Sequence, residues 1–135
     1  MLENYYKYRI DYKDCLLFFK YGSFYELFDK DAYIMNKIFN YSIKKLSNNI
    51  KCGFPVNKLD NILNVLNDKH IDYYIVDKGI YKSFKDNKYF DYDFNDNISN
   101  NIIRIDNIIK YLNNSIFIND IDNILGKIEG IINEW

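Results

Sequence analysis

Proline and glycine are scarce in this 135-residue chain, with one proline (Pro55) and five glycines. So little of either argues against flexible linkers joining several small domains, and the length itself fits about one domain of ~100–150 residues. Cysteine is limited to Cys15 and Cys52, which form no C-x-x-C pair. Each lies in or beside an apolar run, which predicts buried free thiols in a reducing compartment and excludes a disulfide-stapled scaffold. There is a single histidine, His70, at the end of a polar helical pattern. One histidine excludes a His-pair metal site and the H-E-x-x-H helix, and supports no Ser/His/Asp arrangement. Asp91, Asp93 and Asp96 lack the glycine and closing glutamate of a calcium loop. No metal, no cofactor and no enzymatic activity are expected. No stretch approaches the ~18–20 apolar residues of a membrane span, so no membrane partner is expected. The start, Met1 to Tyr6, has no basic segment running into an apolar one; no signal peptide is expected, and the cytoplasm is the expected location.

What is present is globular in composition: 48% hydrophobic and 27% charged residues. Aromatics reach 19%, with 14 Tyr and 10 Phe. A stacking surface for nucleic acid is one reading. An AT-rich coding sequence, which also yields Ile, Asn and Lys, accounts for most of the tyrosines, and cores and partner surfaces absorb them. The net charge of −1 offers no general basic footprint. Its distribution is uneven. Residues 1–90 hold 15 Lys+Arg against 11 Asp+Glu, and residues 91–135 hold 3 against 8. A mildly basic body therefore carries an acidic C-terminal third, which bears on partners rather than fold.

Along the chain, Leu2 to Lys13 reads as a polar helix with Tyr5, Tyr8 and Tyr12 at helical spacing. Cys15-Leu16-Leu17-Phe18-Phe19 is a continuous apolar run that ends at Gly22, as in a strand buried on both faces. Phe24 to Phe28 continues extended. Asp29-Lys30-Asp31 opens a helix to about Asn40, with Ala32, Met35, Ile38 and Phe39 on one face. Ser42 to Leu46 and Ile50 to Phe54 read as two strands joined by Ser47-Asn48-Asn49. A helix over about 57–69 carries Leu59, Ile62, Leu63 and Leu66 as its stripe. Tyr73 to Val76 predicts a strand, and Tyr89 to Phe94 another. Strands interleaved with helices predict an α/β domain, a mixed sheet flanked by helices, over residues 1–96. Residues 97–135 predict an acidic amphipathic helical pair, with stripes Ile102, Ile105, Ile109, Leu112 and Ile121, Ile124, Ile128, Ile131, Trp135 separated by a turn near Asn113-Asn114-Ser115.

The most informative stretch is Leu16 to Phe28. An apolar strand runs into Gly22, then Phe24-Tyr25-Glu26, then Leu27-Phe28 and an acid-opened helix. This resembles the signature of the N-terminal mismatch-recognition domain of the MutS family of DNA mismatch repair proteins, Gly-x-Phe-Tyr-Glu after a strand. The tyrosine-rich first helix, the Cys52-Gly53-Phe54-Pro55 turn, the Leu/Ile helix and the Tyr-Tyr-Ile-Val strand follow in family order, over roughly residues 4–95. The resemblance implies that Phe24 is wedged beside a mispaired base from the minor groove and that Glu26 accepts a hydrogen bond from that base, with Tyr25 between them. An apolar ring can replace a neighbouring base as a stacking partner, and unstacking costs least at a mispair. A carboxylate is useful near phosphates only where a base edge offers it a proton. Lys20, Lys44, Lys45 and Lys51 are the nearest candidates for backbone contacts, with a solvated face equally open for each.

Three departures accompany the resemblance. Val56-Asn57-Lys58 stands where the family usually carries a histidine after the central proline. The connector, lever, clamp and ATPase domains of the family are not seen, and Gly126-Lys127-Ile128 lacks the preceding glycine and hydroxyl residue of a phosphate-binding loop. The C-terminal helical extension is not a family element. The resemblance implies a module that binds mispaired or distorted duplex DNA, weakly when alone, in a mismatch-repair setting. The alternative is a protein-interaction adaptor or competitor in a repair or replication assembly, with a protein partner or a second copy engaged through residues 97–135. A variant has the acidic tail covering the basic face as a DNA mimic.

Overall fold

In the computed structural model, which describes residues 2–114 and 121–133, the apolar run after Cys15 becomes the centre of a six-stranded sheet. The elements are α1 (Leu2–Asp11), β1 (Leu16–Tyr21), β2 (Phe24–Phe28), α2 (Lys30–Phe39), β3 (Lys44–Lys45), β4 (Ile50–Pro55), α3 (Leu59–Lys69), β5 (Tyr73–Ile75), β6 (Ile80–Lys82), α4 (Asp96–Asn114) and α5 (Ile121–Asn133). The spatial order is β3-β4-β2-β1-β5-β6. Only the β1–β5 pair is parallel; the other four pairings are antiparallel. This is the expected mixed α/β architecture. The chain divides into two compact units, Met1–Ser99 and Asn100–Trp135.

Within the first unit, Leu16, Leu17 and Phe18 have no solvent exposure and Phe19 almost none, so β1 is covered on both faces as its unbroken apolar run predicts. On one face α1 packs Tyr5, with Leu2, Tyr8 and Tyr12 around it, against Leu17, Phe19 and Phe28. The rings meet edge-on: Tyr5 and Tyr8 lie 6.2 and 5.9 Å from Phe19. Aromatic pairs favour such T-shaped contacts. Four of the fourteen tyrosines, Tyr5, Tyr25, Tyr73 and Tyr89, are buried in the core. On the other face α2 lies against β2 and β4, burying Ala32, Ile34 and Met35. Leu59, Ile62 and Leu66 form the buried stripe of α3, and the Tyr73 hydroxyl donates to Asn67 of the same helix at 3.0 Å.

One polar group is fully enclosed. The Asp31 carboxylate, near the start of α2, accepts the Leu17 backbone N–H at 3.0 Å, the Tyr89 hydroxyl at 2.8 Å and the Arg9 guanidinium. Arg9 also donates to the carbonyls of Tyr12 and Cys15, at 3.0 and 2.7 Å. Burial pushes the Asp31 carboxyl up, while Arg9 and the two other donors pull it back. A charge so deeply buried is tolerated only when paired and hydrogen-bonded in this way.

The structure corrects the expected elements in four places. Tyr89 to Phe94 is not a strand: Lys88–Asp91 forms a 3₁₀ turn that delivers the Tyr89 hydroxyl to Asp31, and Asn87 holds the turn by accepting from the backbone N–H groups of Asp72 and Tyr89. The short strand β6, after a turn at Gly79 (φ 62°), was not foreseen. The Cys52-Gly53-Phe54-Pro55 segment is extended throughout as part of β4 rather than a turn. Ser42 to Leu46 shrinks to the two-residue strand β3.

In the second unit, Ile102 and Leu112 of α4 are half-buried while Ile105 and Ile109 are exposed; on α5, Ile121, Ile124 and Ile128 are half-buried and Ile131 is exposed. Ser115 and Trp135 fall outside the described residues. The two helices themselves are close to neutral. α4 balances Asp96 and Asp106 with Arg104 and Lys110, and α5 sets Asp122 and Glu129 against Lys127. The acidity of the C-terminal third therefore lies largely outside them.

Two expectations follow for stability and reactivity. Asp31→Ala, which leaves the buried Leu17 amide and Tyr89 hydroxyl without their acceptor and Arg9 without its counter-charge, lowers unfolding free energy by about 3–5 kcal/mol in urea denaturation. Burial first, and the Asp31 carboxylate second, push the Cys15 and Cys52 thiols up to about 12. Roughly one thiol in ten thousand is then ionised at pH 8. A thiol-disulfide reagent should label neither cysteine in the native protein and both after denaturation.

Candidate functional site

The pleat of β1, β2 and β4 decides which motif side chains meet. Successive residues of a strand point to opposite faces, and directly opposed residues share one. Tyr21 faces Phe24, Glu26 faces Gly53, and Phe28 faces Lys51. Lys44 of β3 faces Lys51 in turn. Tyr21, Phe24, Glu26, Lys51 and Lys44 therefore project from the face that carries α1, beyond the part that α1 covers. Lys20, Tyr25 and Lys45 belong to the opposite face, in register with Tyr25, Phe54 and Ile50.

The sequence-predicted set is thus split. Tyr25 is 2% exposed, packed edge-to-face with Phe18, and its hydroxyl donates to Asp77 at 3.2 Å. Burial, with the Asp77 carboxylate beside it, pushes that hydroxyl up to about 12. Tyr25 is a core residue that anchors β2 and offers no contact surface in this structure. Lys20 and Lys45 are exposed on the far side of the sheet from Phe24.

Phe24 begins β2 at the tip of the β1–β2 hairpin and is 49% exposed, although the rest of the strand is largely buried. The hairpin closes through Gly22-Ser23. Gly22 has φ 61°, whereas Ser23 is not among the positive-φ residues, the pattern of a type II′ turn with glycine in the first central position. Beside Phe24 stands Tyr21, 64% exposed. Sequence reasoning missed Tyr21 as a site residue. The available signal was its position directly before the turn glycine, which makes it the cross-strand partner of Phe24.

Glu26 lies two residues inside the tip. Its Oε2 is 2.8 Å from the Lys51 ammonium, with the two side chains 14% and 30% exposed. These residues, with Phe24, Tyr41, Ser42, Lys44, Cys52 and Gly53, line an open groove of about 470 Å³. Gly53 forms part of its floor: a Cβ there would come within 3.3 Å of the Tyr25 carbonyl oxygen and 3.8 Å of Glu26 Cγ. A smaller depression of about 380 Å³, lined by Leu2, Phe28 and Leu46, shares Tyr21, Glu26 and Lys51 with the groove. The arrangement offers a flat apolar ring, a carboxylate acceptor and an ammonium donor on one open surface. That chemistry suits recognition of a planar, hydrogen-bonding ligand.

Away from this face, His70 ends α3 in a left-handed conformation (φ 57°), stacks on Phe84 at 5.0 Å and pairs with Asp86 at 2.8 Å. Among the described residues, no group of three His, Cys, Asp or Glu side chains is arranged to hold a metal ion, and no helix is long and apolar enough to cross a membrane.

Fold and site together define an α/β domain that presents an aromatic–carboxylate surface on an open sheet face. The family described as MutS domain I matches residues 1–92, and the chain belongs to that family. The DNA mismatch repair protein MutS of Thermosipho melanesiensis is 39% identical over 66 residues, covering 49% of this chain and 8% of that protein. MutS of Staphylococcus epidermidis is 35% identical over 74 residues, 51% of this chain and 8% of the relative, and MutS of Borreliella burgdorferi is 42% identical over 55 residues, 41% and 6%. The chain thus matches less than a tenth of the length of these relatives.

The turn that carries Phe24 is testable by itself. An alanine at Gly22 must adopt a left-handed backbone, a strain of about 1–2 kcal/mol. Gly22→Ala is expected to lower the denaturation midpoint accordingly, whereas Ser23→Ala should leave it nearly unchanged.

Proposed function

We propose that this protein is a DNA-binding module that recognises mispaired or distorted duplex DNA through Phe24 and Glu26, in a mismatch-repair-related and non-catalytic role. The observation that carries this reading is the half-exposed Phe24 ring at the hairpin tip, on the same sheet face as the Glu26 carboxylate. Membership of the MutS domain I family supports it, because the relatives are DNA mismatch repair proteins. An aromatic ring inserted at a base step must offset a few kcal/mol of unstacking, and a mispair lowers that cost. Stacking on an aromatic returns about 1–3 kcal/mol per base. Tyr21 widens the apolar edge and lies in line with the wedge. Of the candidate lysines, Lys44 shares the reading face and is the one suited to a backbone phosphate there. Two buried free thiols fit a reducing, cytoplasmic setting.

Affinity is expected to be low. Non-specific binding grows with the number of phosphates neutralised, and few cations share the Phe24 face. A partner or a second copy that adds contacts would raise it by effective concentration. The exposed Ile105, Ile108 and Ile109 of α4 and Ile131 and Ile132 of α5 favour a second reading, a protein-interaction module. The near-neutral charge of those helices argues against their acting as a DNA mimic.

The deciding measurement is fluorescence anisotropy at low salt with two labelled duplexes, one fully paired and one with a G·T mispair. Wild type is expected to prefer the mispair, and Phe24→Ala to lose about tenfold of that preference, the equivalent of ~1.4 kcal/mol. If the wild-type protein binds neither duplex, the DNA reading fails and the adaptor reading takes its place.

A further inference from the structure

We infer that Lys51 is a specificity-determining positioning residue, whose ammonium holds Glu26 as a neutral acceptor–donor couple for the base edge instead of binding the phosphate backbone. The inference rests on the reading of Phe24 and Glu26 as the base-contacting pair.

The geometry comes from strand register. Directly opposite Glu26 on β4 is Gly53, which has no side chain to occupy the shared face. Lys51, two residues along the same face, is the diagonal neighbour, and its ammonium lies 2.8 Å from Glu26 Oε2. Diagonal pairs on one face of a sheet lie within reach of long side chains. On its other side Lys51 is directly opposed by Lys44 of β3. Like charges so placed repel, which favours Lys51 turning towards Glu26 and leaves Lys44 to approach a phosphate.

The pairing has a chemical consequence for recognition. An isolated carboxylate brought to a duplex is repelled by the phosphates, and screening over ~10 Å at moderate salt removes only part of that. Beside an ammonium, the couple carries no net charge. The ion pair occupies Oε2, and an ionised carboxylate can accept several hydrogen bonds through its two oxygens, so Oε1 can accept a base N–H while Lys51 remains in place. Both groups line the groove beside Phe24. A base displaced against the ring thus meets an acceptor and a donor side by side.

The test compares wild type, Lys51→Met, Lys51→Arg, Glu26→Gln and the double variant Glu26→Gln/Lys51→Met as full chains, titrated with the paired and G·T duplexes over a range of salt. Lys51→Met is expected to reduce the mispaired-to-paired affinity ratio about five- to tenfold, with the salt dependence for paired duplex unchanged. In the Glu26→Gln background the same substitution should change the ratio no further, and Lys51→Arg should keep it near the wild-type value. If Lys51→Met instead weakens both duplexes alike and flattens the salt slope by about one, Lys51 is a phosphate contact and the inference is overturned while the Phe24 reading stands. If wild type shows no preference for the mispair, both fall together.

Discussion

The Asp31 carboxylate is the point on which the first unit depends. It has no contact with water, so its charge must be satisfied by protein donors, and those donors come from three separate parts of the chain: Arg9 of α1, the Leu17 amide of β1 and the Tyr89 hydroxyl of the 3₁₀ turn. Two of these elements, α1 and the 3₁₀ turn, are weakly defined by their own sequence. A 10-residue polar helix such as α1 is marginal in isolation, and a four-residue turn carries no stability of its own. Coupling them to one buried charge makes their positions mutually dependent, and loss of Arg9 would leave that charge buried and unpaired. Tyr5 and Tyr8 add ring packing of α1 on Phe19 of the sheet, and where α1 stops covering the sheet sets the limit of the open face.

That open face is a product of alternation. The stretch from Leu16 to Phe28 is apolar nearly throughout, yet the pleat sends Phe18, Tyr25 and Leu27 into one core layer and Phe19 and Phe28 into the other. Phe24 and Tyr21 escape burial because they are at the hairpin tip, where neither helix layer reaches. The Phe24 ring is thereby left half-exposed at the hairpin tip. The Glu26–Lys51 pair beside it adds polarity in a setting where the ion pair itself contributes little to stability, being partly solvated.

Charge gives a different lesson. The C-terminal third is acidic as a segment, but α4 and α5 carry nearly equal numbers of acids and bases. A net charge computed over a segment says nothing of which element bears it. Exposed isoleucines, and not charge, are the dominant feature of these helices.

Much was legible in sequence. The amphipathic stripe of α3 and the apolar β1 run pointed to the α/β class because local periodicity is encoded over a few neighbouring residues, whereas Phe24 and Glu26 were singled out only by the resemblance of the Gly-x-Phe-Tyr-Glu stretch to the MutS family. The expected strand at Tyr89 to Phe94 failed because a distant carboxylate, 58 residues earlier in the chain, recruits the Tyr89 hydroxyl. Tyr25, Lys20 and Lys45 looked equivalent to Phe24, Lys44 and Lys51 because adjacency in sequence hides which face a side chain takes until the strands are in register. The pairing of Lys51 with Glu26 depends on the register of β4 against β2, and Lys44 comes opposite Lys51 only through β3. Composition and spacing determined that the chain folds as strands interleaved with helices in a mixed α/β domain, with an apolar strand leading into the Phe–Tyr–Glu stretch. Only the tertiary structure decided which of those side chains share a surface, because register and burial arise from contacts between residues far apart in the chain.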